Sequence, residues 1–282
     1  MDTSFSRITY EEVSMNSAIK LIALPCLCVD VFDASGEIRP GGEALNFATH
    51  ASGFEGIDVT LLGALGADEY AQVILDSIAH MPIHTESLRR EPDKHTANNR
   101  VYLTPEGDRY YKEDSWDGDI VDKMILNEKE LRLLSESDVV FIHFWAGCFP
   151  QVLEAKKRYG FLLAVDFDVY RDFEKMQEYA PYVDYFMISG KEELLPYFEA
   201  FSRRYPGLFN MSLAEKGSVT YQNGICYRVS ACEVPEVIDT TGCGDSYHAG
   251  FVCSHLLHKD IRRAMQEGSR LAAGTLSHFG GY

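Results

Sequence analysis

The chain of 282 residues has no apolar run long enough to cross a bilayer. Its longest, Leu21 to Val29, is nine residues, contains Pro25 and ends at Asp30, whereas a span needs about 20 residues. Asp2, Glu11 and Glu12 precede that run and outnumber Arg7 and Lys20, so it does not read as a secretory signal. A cytoplasmic protein with no membrane partner is expected. Basic charge is also scarce: 26 Lys and Arg face 43 Asp and Glu, a net charge of −17, which argues against a nucleic-acid binder. The seven cysteines form no Cys-x-x-Cys pair and are odd in number, which excludes a disulfide framework and a common zinc spacing. Cys26 and Cys28 are the one close pair and read as small hydrophobes on opposite faces of a strand. Neither a Gly-x-x-x-x-Gly-Lys-Ser/Thr loop nor a Gly-x-Gly-x-x-Gly turn occurs, so a Walker-type ATPase and a dinucleotide oxidoreductase are disfavoured.

What is present is alternation. Short β-rich runs at Leu21–Leu24, Val59–Leu62, Val139–Phe144, Phe161–Val165 and Tyr185–Ile188 are separated by helix-length amphipathic stretches at Glu43–Ser52, Glu69–His80, Asn127–Leu134, Gln151–Arg158 and Lys191–Arg203. That order predicts an α/β fold, doubly wound, with a mostly parallel sheet and helices on both faces. Residues 83–116 break the rhythm with short extended runs and read as a small β lid insertion. Asn223-Gly224 between Ser218–Tyr221 and Ile225–Val229 predicts a hairpin closing one edge. Residues 18–282 are expected to form one domain, and 1–17 an N-terminal extension.

The densest chemistry lies in Asp239-Thr240-Thr241-Gly242-Cys243-Gly244-Asp245, followed by Ser246-Tyr247-His248-Ala249-Gly250-Phe251. It reads as a glycine-rich turn entering a helix, where backbone N–H groups at the positive end of the dipole favour an anion. Asp245 beside such a site would repel phosphate unless it accepts a proton from an attacking hydroxyl. On spacing alone, an ordinary helix N-terminal carboxylate is the competing reading.

This segment, together with Gly41-Gly42-Glu43-Ala44-Leu45-Asn46-Phe47-Ala48 after Val29-Asp30, resembles the two signature motifs of the ribokinase-like (PfkB) carbohydrate kinases. The likeness runs from Ala18 to Tyr282 and includes Gly63-Ala64-Leu65-Gly66-Ala67-Asp68 and Phe279-Gly280-Gly281. Within the family, the kinases of fructoselysine are the most similar. The resemblance implies ATP-dependent phosphorylation of a primary hydroxyl on a sugar or sugar-amine conjugate, using Mg²⁺ and in many members K⁺. It makes Asp245 the catalytic base and the amides of Gly242, Cys243 and Gly244 the anion hole. Asp30, Gly41, Gly42, Glu43 and Asn46 would bind substrate, and Ser212, Ala214 and Gly217 the nucleotide. Glu192 would organise Mg²⁺ through water, while Asp239 and Thr241 would serve a monovalent cation.

Departures from the pattern bear on the substrate. Pro25-Cys26-Leu27 replaces polar residues that the family has near the sugar. Ala214 stands where a glycine is usual, and Glu43 where an asparagine is usual. Glu43 could face a cationic substrate group or be exposed in a helix's first turn; Glu192 has the same bland alternative. Asp166-Phe167-Asp168 with Arg171 departs from the family's Asp-Pro-Asn-x-Arg and reads equally as surface ion pairing. His143 and Trp145 are expected to be packed, His143 with one satisfied hydrogen bond. No role attaches to His248, Arg100 or Arg109. Kinases of another ketose, ribose or a nucleoside, and a non-catalytic sugar- or nucleotide-binding relative, are the alternatives. A homodimer through the lid is the expected partner arrangement.

Overall fold

The computed structural model describes residues 18–104 and 109–282; the 1–17 extension lies outside the described residues. In chain order the strands are β1 (Ile19–Leu24), β2 (Cys28–Phe32), β3 (Ile38–Gly41), β4 (Ile57–Leu61), β5 (Gly63–Leu65), β6 (Ile83–His84), β7 (Leu88–Arg90) and β8 (Ala97–Leu103). There follow β9 (Arg109–Tyr110), β10 (Trp116–Asp117), β11 (Val139–His143), β12 (Leu162–Asp166), β13 (Tyr185–Ser189), β14 (Leu208–Ser212), β15 (Ser218–Gln222) and β16 (Ile225–Val229). The helices are α1 (Glu43–Ala51), α2 (Glu69–Ile78), α3 (Asp119–Asp122), α4 (Glu128–Ser135), α5 (Phe149–Tyr159), α6 (Phe173–Tyr179), α7 (Leu195–Ser202), α8 (Cys243–His258) and α9 (Ile261–Thr275). No helix among the described residues is long and apolar enough to cross a membrane.

The large sheet has the order β16-β15-β14-β13-β12-β11-β1-β4-β6. It is parallel from β6 to β14, and the β14-β15-β16 edge is antiparallel. Alternation along each strand loads both faces. On β1, Leu21 and Ala23 enter one core while Ile22 and Leu24 enter the other; on β11, Val139 and Phe141 oppose Val140 and Ile142 in the same way. Phe141 stacks on Phe47 of α1 with ring centroids 3.8 Å apart, fixing α1 to its face. The expected hairpin is present, with Asn223 at φ 52° and Gly224 at φ 76°, the positive pair that a two-residue turn between twisted strands requires.

Strand order reverses at β1, whose neighbours are β4 and β11. In open α/β sheets the crevice beyond the carboxyl ends at such a switch point receives ligands. The strand ends at His143 and Asp166, and the link after β1, open onto this region.

The smaller sheet, β10-β8-β2-β3 with β9 on β8, differs from the expected 83–116 insertion. Ile83–His84 joins the large sheet beside β4, and β7 pairs with β5. The small sheet instead recruits β2 and β3, which directly follow β1 and lead into α1. These strands are short and carry Asp30, Arg39 and Pro40, so no apolar period marks them. Cys26 and Cys28 also depart from expectation. Cys26 lies in the link before β2, both thiols are buried in one cluster with Ala64 and Ala97, and the two side chains hydrogen-bond each other. All seven thiols are free.

Candidate active site

The turn into α8 is built by steric necessity. Gly242 has φ 69°, and a Cβ there would lie 2.5 Å from Gly281 Cα and 3.2 Å from Asn46 Nδ2. Asp239 braces the turn: Oδ1 accepts from Thr241 N at 3.0 Å and Thr241 Oγ1 at 2.9 Å, and Oδ2 accepts from Gly280 N at 2.9 Å. A Cβ at Gly244 would meet nothing within 4 Å, so the first turn of α8 is open at Gly244. Amides there have no intrahelical partner and sit at the positive end of the dipole, which suits an anion. Of the three amides expected to form the anion hole, that of Cys243 already donates a long 3.3 Å bond to Thr240 O.

Asp245, in that first turn, is buried and its Oδ2 accepts from Asn46 Nδ2 at 2.7 Å. Asn46 is delivered by α1, which starts hard against the β1–β2 link. Gly42 caps it at φ 105°, where a Cβ would come within 2.6 Å of Cys26 O, and that carbonyl accepts from the amides of Ala44 and Leu45. Asp30 on β2 is buried, lies opposite Arg39 and Asn99 on its neighbour strands, and approaches the position a Cβ would take at Gly41.

The electrostatics are strongly acidic. Burial pushes Asp245 up to about 8, Glu43 and then Asp166 push in the same direction, and the Asn46 hydrogen bond and His248 oppose them. Burial and the carboxylates of Asp30, Glu43 and Asp245 also hold the Cys28 thiol above its ordinary value, although its hydrogen bond with Cys26 works the other way. Glu43 is therefore not an exposed first-turn residue. It is half-buried, hydrogen-bonds Cys26, and places a carboxylate oxygen within 4.8 Å of both Cys26 Sγ and a ring nitrogen of His143.

Three residues that sequence reasoning left without a role line the same region. His143, at the end of β11, is buried with neither ring nitrogen hydrogen-bonded, against the one satisfied bond expected. Asp166, beside it at the end of β12, is buried rather than in a surface ion pair. Its partner is His248, whose Nδ1 lies 3.3 Å from Asp166 Oδ2. Arg171 bonds the carbonyls of Asp168, Tyr170 and Ser189 instead. Trp145 is about half exposed and meets Tyr170 edge-on. The signal available in sequence was positional: His143 and Asp166 end adjacent parallel strands, and His248 is one helical turn after Asp245.

The expected nucleotide residues gather elsewhere, at the end of β14. Ser212 Oγ donates to Ser189 Oγ at 3.2 Å. Ala214 adopts φ 51°, the left-handed conformation for which glycine is the usual residue. Gly217 has φ 87°, and a Cβ there would come within 2.1 Å of Val229 O. Glu192 is exposed, 2.9 Å from Arg228 and 3.3 Å from Lys216, and these cations hold it below the ordinary carboxylate range. It braces the loop carrying Ala214 and Gly217, apart from Asp245.

Known proteins match this architecture. The chain is 29% identical over 263 residues to the fructoselysine 6-kinases of Shigella flexneri and of Escherichia coli (strain K12), covering 90% of this chain and 96% of each relative. It is 25% identical to a fructosamine kinase of Bacillus subtilis (strain 168), over 94% of this chain and 93% of that one. Among solved structures, Arabidopsis thaliana ribokinase complexed with ribose and ATP superposes with a TM-score of 0.76 at 16% identity, covering 94% of each chain. The nucleoside kinase of Methanocaldococcus jannaschii does so at 0.73 and 18% identity, covering 95% of this chain and 94% of that one. These two share the ribokinase-like fold. The family description "pfkB family carbohydrate kinase" matches residues 31–282, and with the glycine turn, buried aspartate and doubly wound sheet already in place, the chain belongs to the PfkB family of carbohydrate kinases.

Proposed function

We propose that this sugar kinase transfers the γ-phosphoryl group of ATP to a primary hydroxyl of a sugar-amine conjugate, a fructosamine of the fructoselysine kind, with Asp245 as general base. The observation that carries the reading is the basin around Asp245. Glu43, Asp166 and Asp245 are brought together in a largely buried space, and the largest cationic influence on Asp245 is His248. A substrate carrying an ammonium group supplies the missing charge, and Glu43, half-buried beside His143, is the carboxylate best placed to receive it. The relatives' names, fructoselysine 6-kinase and fructosamine kinase, agree with that chemistry.

In the reaction, Asp245 accepts the proton of the attacking hydroxyl. The hydroxyl oxygen forms the new bond to γ-phosphorus, the bond to the β-phosphate bridging oxygen breaks, and ADP leaves with that electron pair. The Gly242 and Gly244 amides, with that of Cys243 once Thr240 releases it, receive the charge of the transferred group. Asn46 holds Asp245 in place, while Asp30 and the Gly41-Gly42 backbone bind sugar hydroxyls. Ser212, Ala214 and Gly217 form the nucleotide loop. Mg²⁺ would neutralise the phosphates, with Glu192 meeting it through water. Asp239 and Thr241 would serve K⁺, in a turn that their own hydrogen bonds already hold.

The test is Mg-ATP consumption against fructoselysine, other fructosamines, fructose, ribose and adenosine, with Asp245→Asn alongside. Turnover on a fructosamine, lowered about 10²–10⁴-fold by the substitution, supports the reading. Preference for a neutral sugar or nucleoside overturns the substrate assignment, and full activity in the variant overturns the base.

A further inference from the structure

His248 has a buried environment that its packing does not explain. It is 1% exposed, sits one turn along α8 from Asp245, and neither ring nitrogen has a hydrogen-bond partner. Its Nδ1 is in contact with Asp166 Oδ2 at 3.3 Å. One oxygen of Asp166, one of Asp245 and one ring nitrogen of His248 all lie within 4.8 Å of one another. Two carboxylates that close and that buried would drive one of them to hold a proton. A protonated Asp245 cannot take the proton of an attacking hydroxyl.

We propose that His248, charged by its contact with Asp166, is a positioning residue for the catalytic base: it supplies a fixed positive charge at the floor of the sugar site that keeps Asp166 ionised and makes Asp245 easier to ionise than its buried carboxylate neighbours alone would allow. The proposal rests on Asp245 being the base. The surrounding groups support it from every side. Asp245 is faced by Glu43 and Asn46 from α1, Asp166 from β12 and His248 from its own helix. Asp166 is faced by His248 and by His143 from β11, and His248 also by Asp168 from the turn after β12. Burial is the largest single influence and pushes the imidazole down, but Asp166, with Asp245 and Asp168 behind it, more than offsets burial and holds His248 above its usual range. Burial is the largest single influence on Asp166 and pushes it up, but the charge and close contact of His248, the Asp168 amide and His143 together hold it below the usual carboxylate range.

The experiment measures ADP formation from pH 5.5 to 9.5 for the wild type, His248→Asn, Asp166→Asn/His248→Asn and Asp245→Asn, on the substrate the panel selects. His248→Asn is expected to move the acid limb of kcat upward by about one pH unit, a roughly tenfold loss at neutral pH regained in alkali, with KM for the sugar little changed. The double variant, which removes one charge of each sign, is expected to bring the limb back close to the wild type. Histidine ¹⁵N resonances of the wild type are expected to show a charged His248 at pH 7, a readout that needs no folded variant. A neutral His248 at pH 7, or a folded His248→Asn enzyme with an unmoved limb, overturns the proposal. If Asp245→Asn itself keeps turnover, the base assignment is what has failed.

Discussion

Asp245 and Glu192 are both carboxylates early in a helical segment, and both are proposed above to serve phosphoryl transfer. The fold treats them oppositely. Glu192 is exposed, with Arg228 and Lys216 against it and its proton affinity lowered. Asp245 is buried among Glu43, Asp166 and His248, and its proton affinity is raised to about 8. A carboxylate already neutralised by two cations is at rest, and it suits bracing a nucleotide loop. One crowded by other carboxylates is electrostatically strained until a cation arrives, and it suits taking a proton. With the proposed roles, charge environment separates binding from chemistry, a carboxylate standing in both places.

The largest expected contrast comes from neutralising each carboxylate in turn. Asp245→Asn should abolish most turnover while stabilising the protein. The folded-state value lies above the ordinary carboxylate value, so this group's favourable contribution is present at acid pH and lost as pH rises toward about 8. Asparagine escapes that loss and can still pair with Asn46. Thermal unfolding at pH 8 should rise by a few °C, and a fall in Tm would mean that the ionised carboxylate is held by contacts the basin does not show.

A smaller effect is expected at Glu43. Glu43→Gln removes a negative neighbour, so the acid limb of kcat/KM should shift to lower pH. KM for a fructosamine should rise about tenfold, the worth of about 1.4 kcal/mol, with KM for a neutral ketose hardly altered. Equal effects on both substrates would remove Glu43 from recognition of the amine. The smallest is expected at Glu192, an exposed site. Glu192→Gln should raise KM for ATP a few-fold, less so at high salt, and leave the acid limb in place; a shifted limb would join the two regions that the structure separates.

Much of this was legible in the chain. The five β-rich runs and the Asn-Gly hairpin follow from periodicity and turn chemistry, and both appear where expected. Gly42, Gly242 and Gly217 were legible as motif glycines, and the structure supplies the reason: a Cβ at each would crowd Cys26 O, Gly281 Cα and Val229 O. The small sheet was not legible, because β2 and β3 are short, polar and paired to strands far along the chain. Nor were His143, Asp166 and His248 as a group. Each looks like an ordinary core or surface residue until the parallel register sets His143 beside Asp166 and α8 enters the core with His248 turned toward them. Charge environments belong to the assembled fold, and for that reason Glu43 could be read as a solvated residue until α1 was seen to bury it.

The most direct measurement of the central claim is the pH dependence of kcat/KM for a fructosamine, which reports ionisations of the free enzyme and the free substrate. With Asp245 as a base strained to about 8, kcat/KM should fall tenfold for each pH unit below that value, and the limb should move to lower pH in Glu43→Gln. A profile flat from pH 5 to 8, unmoved by that substitution, would contradict it.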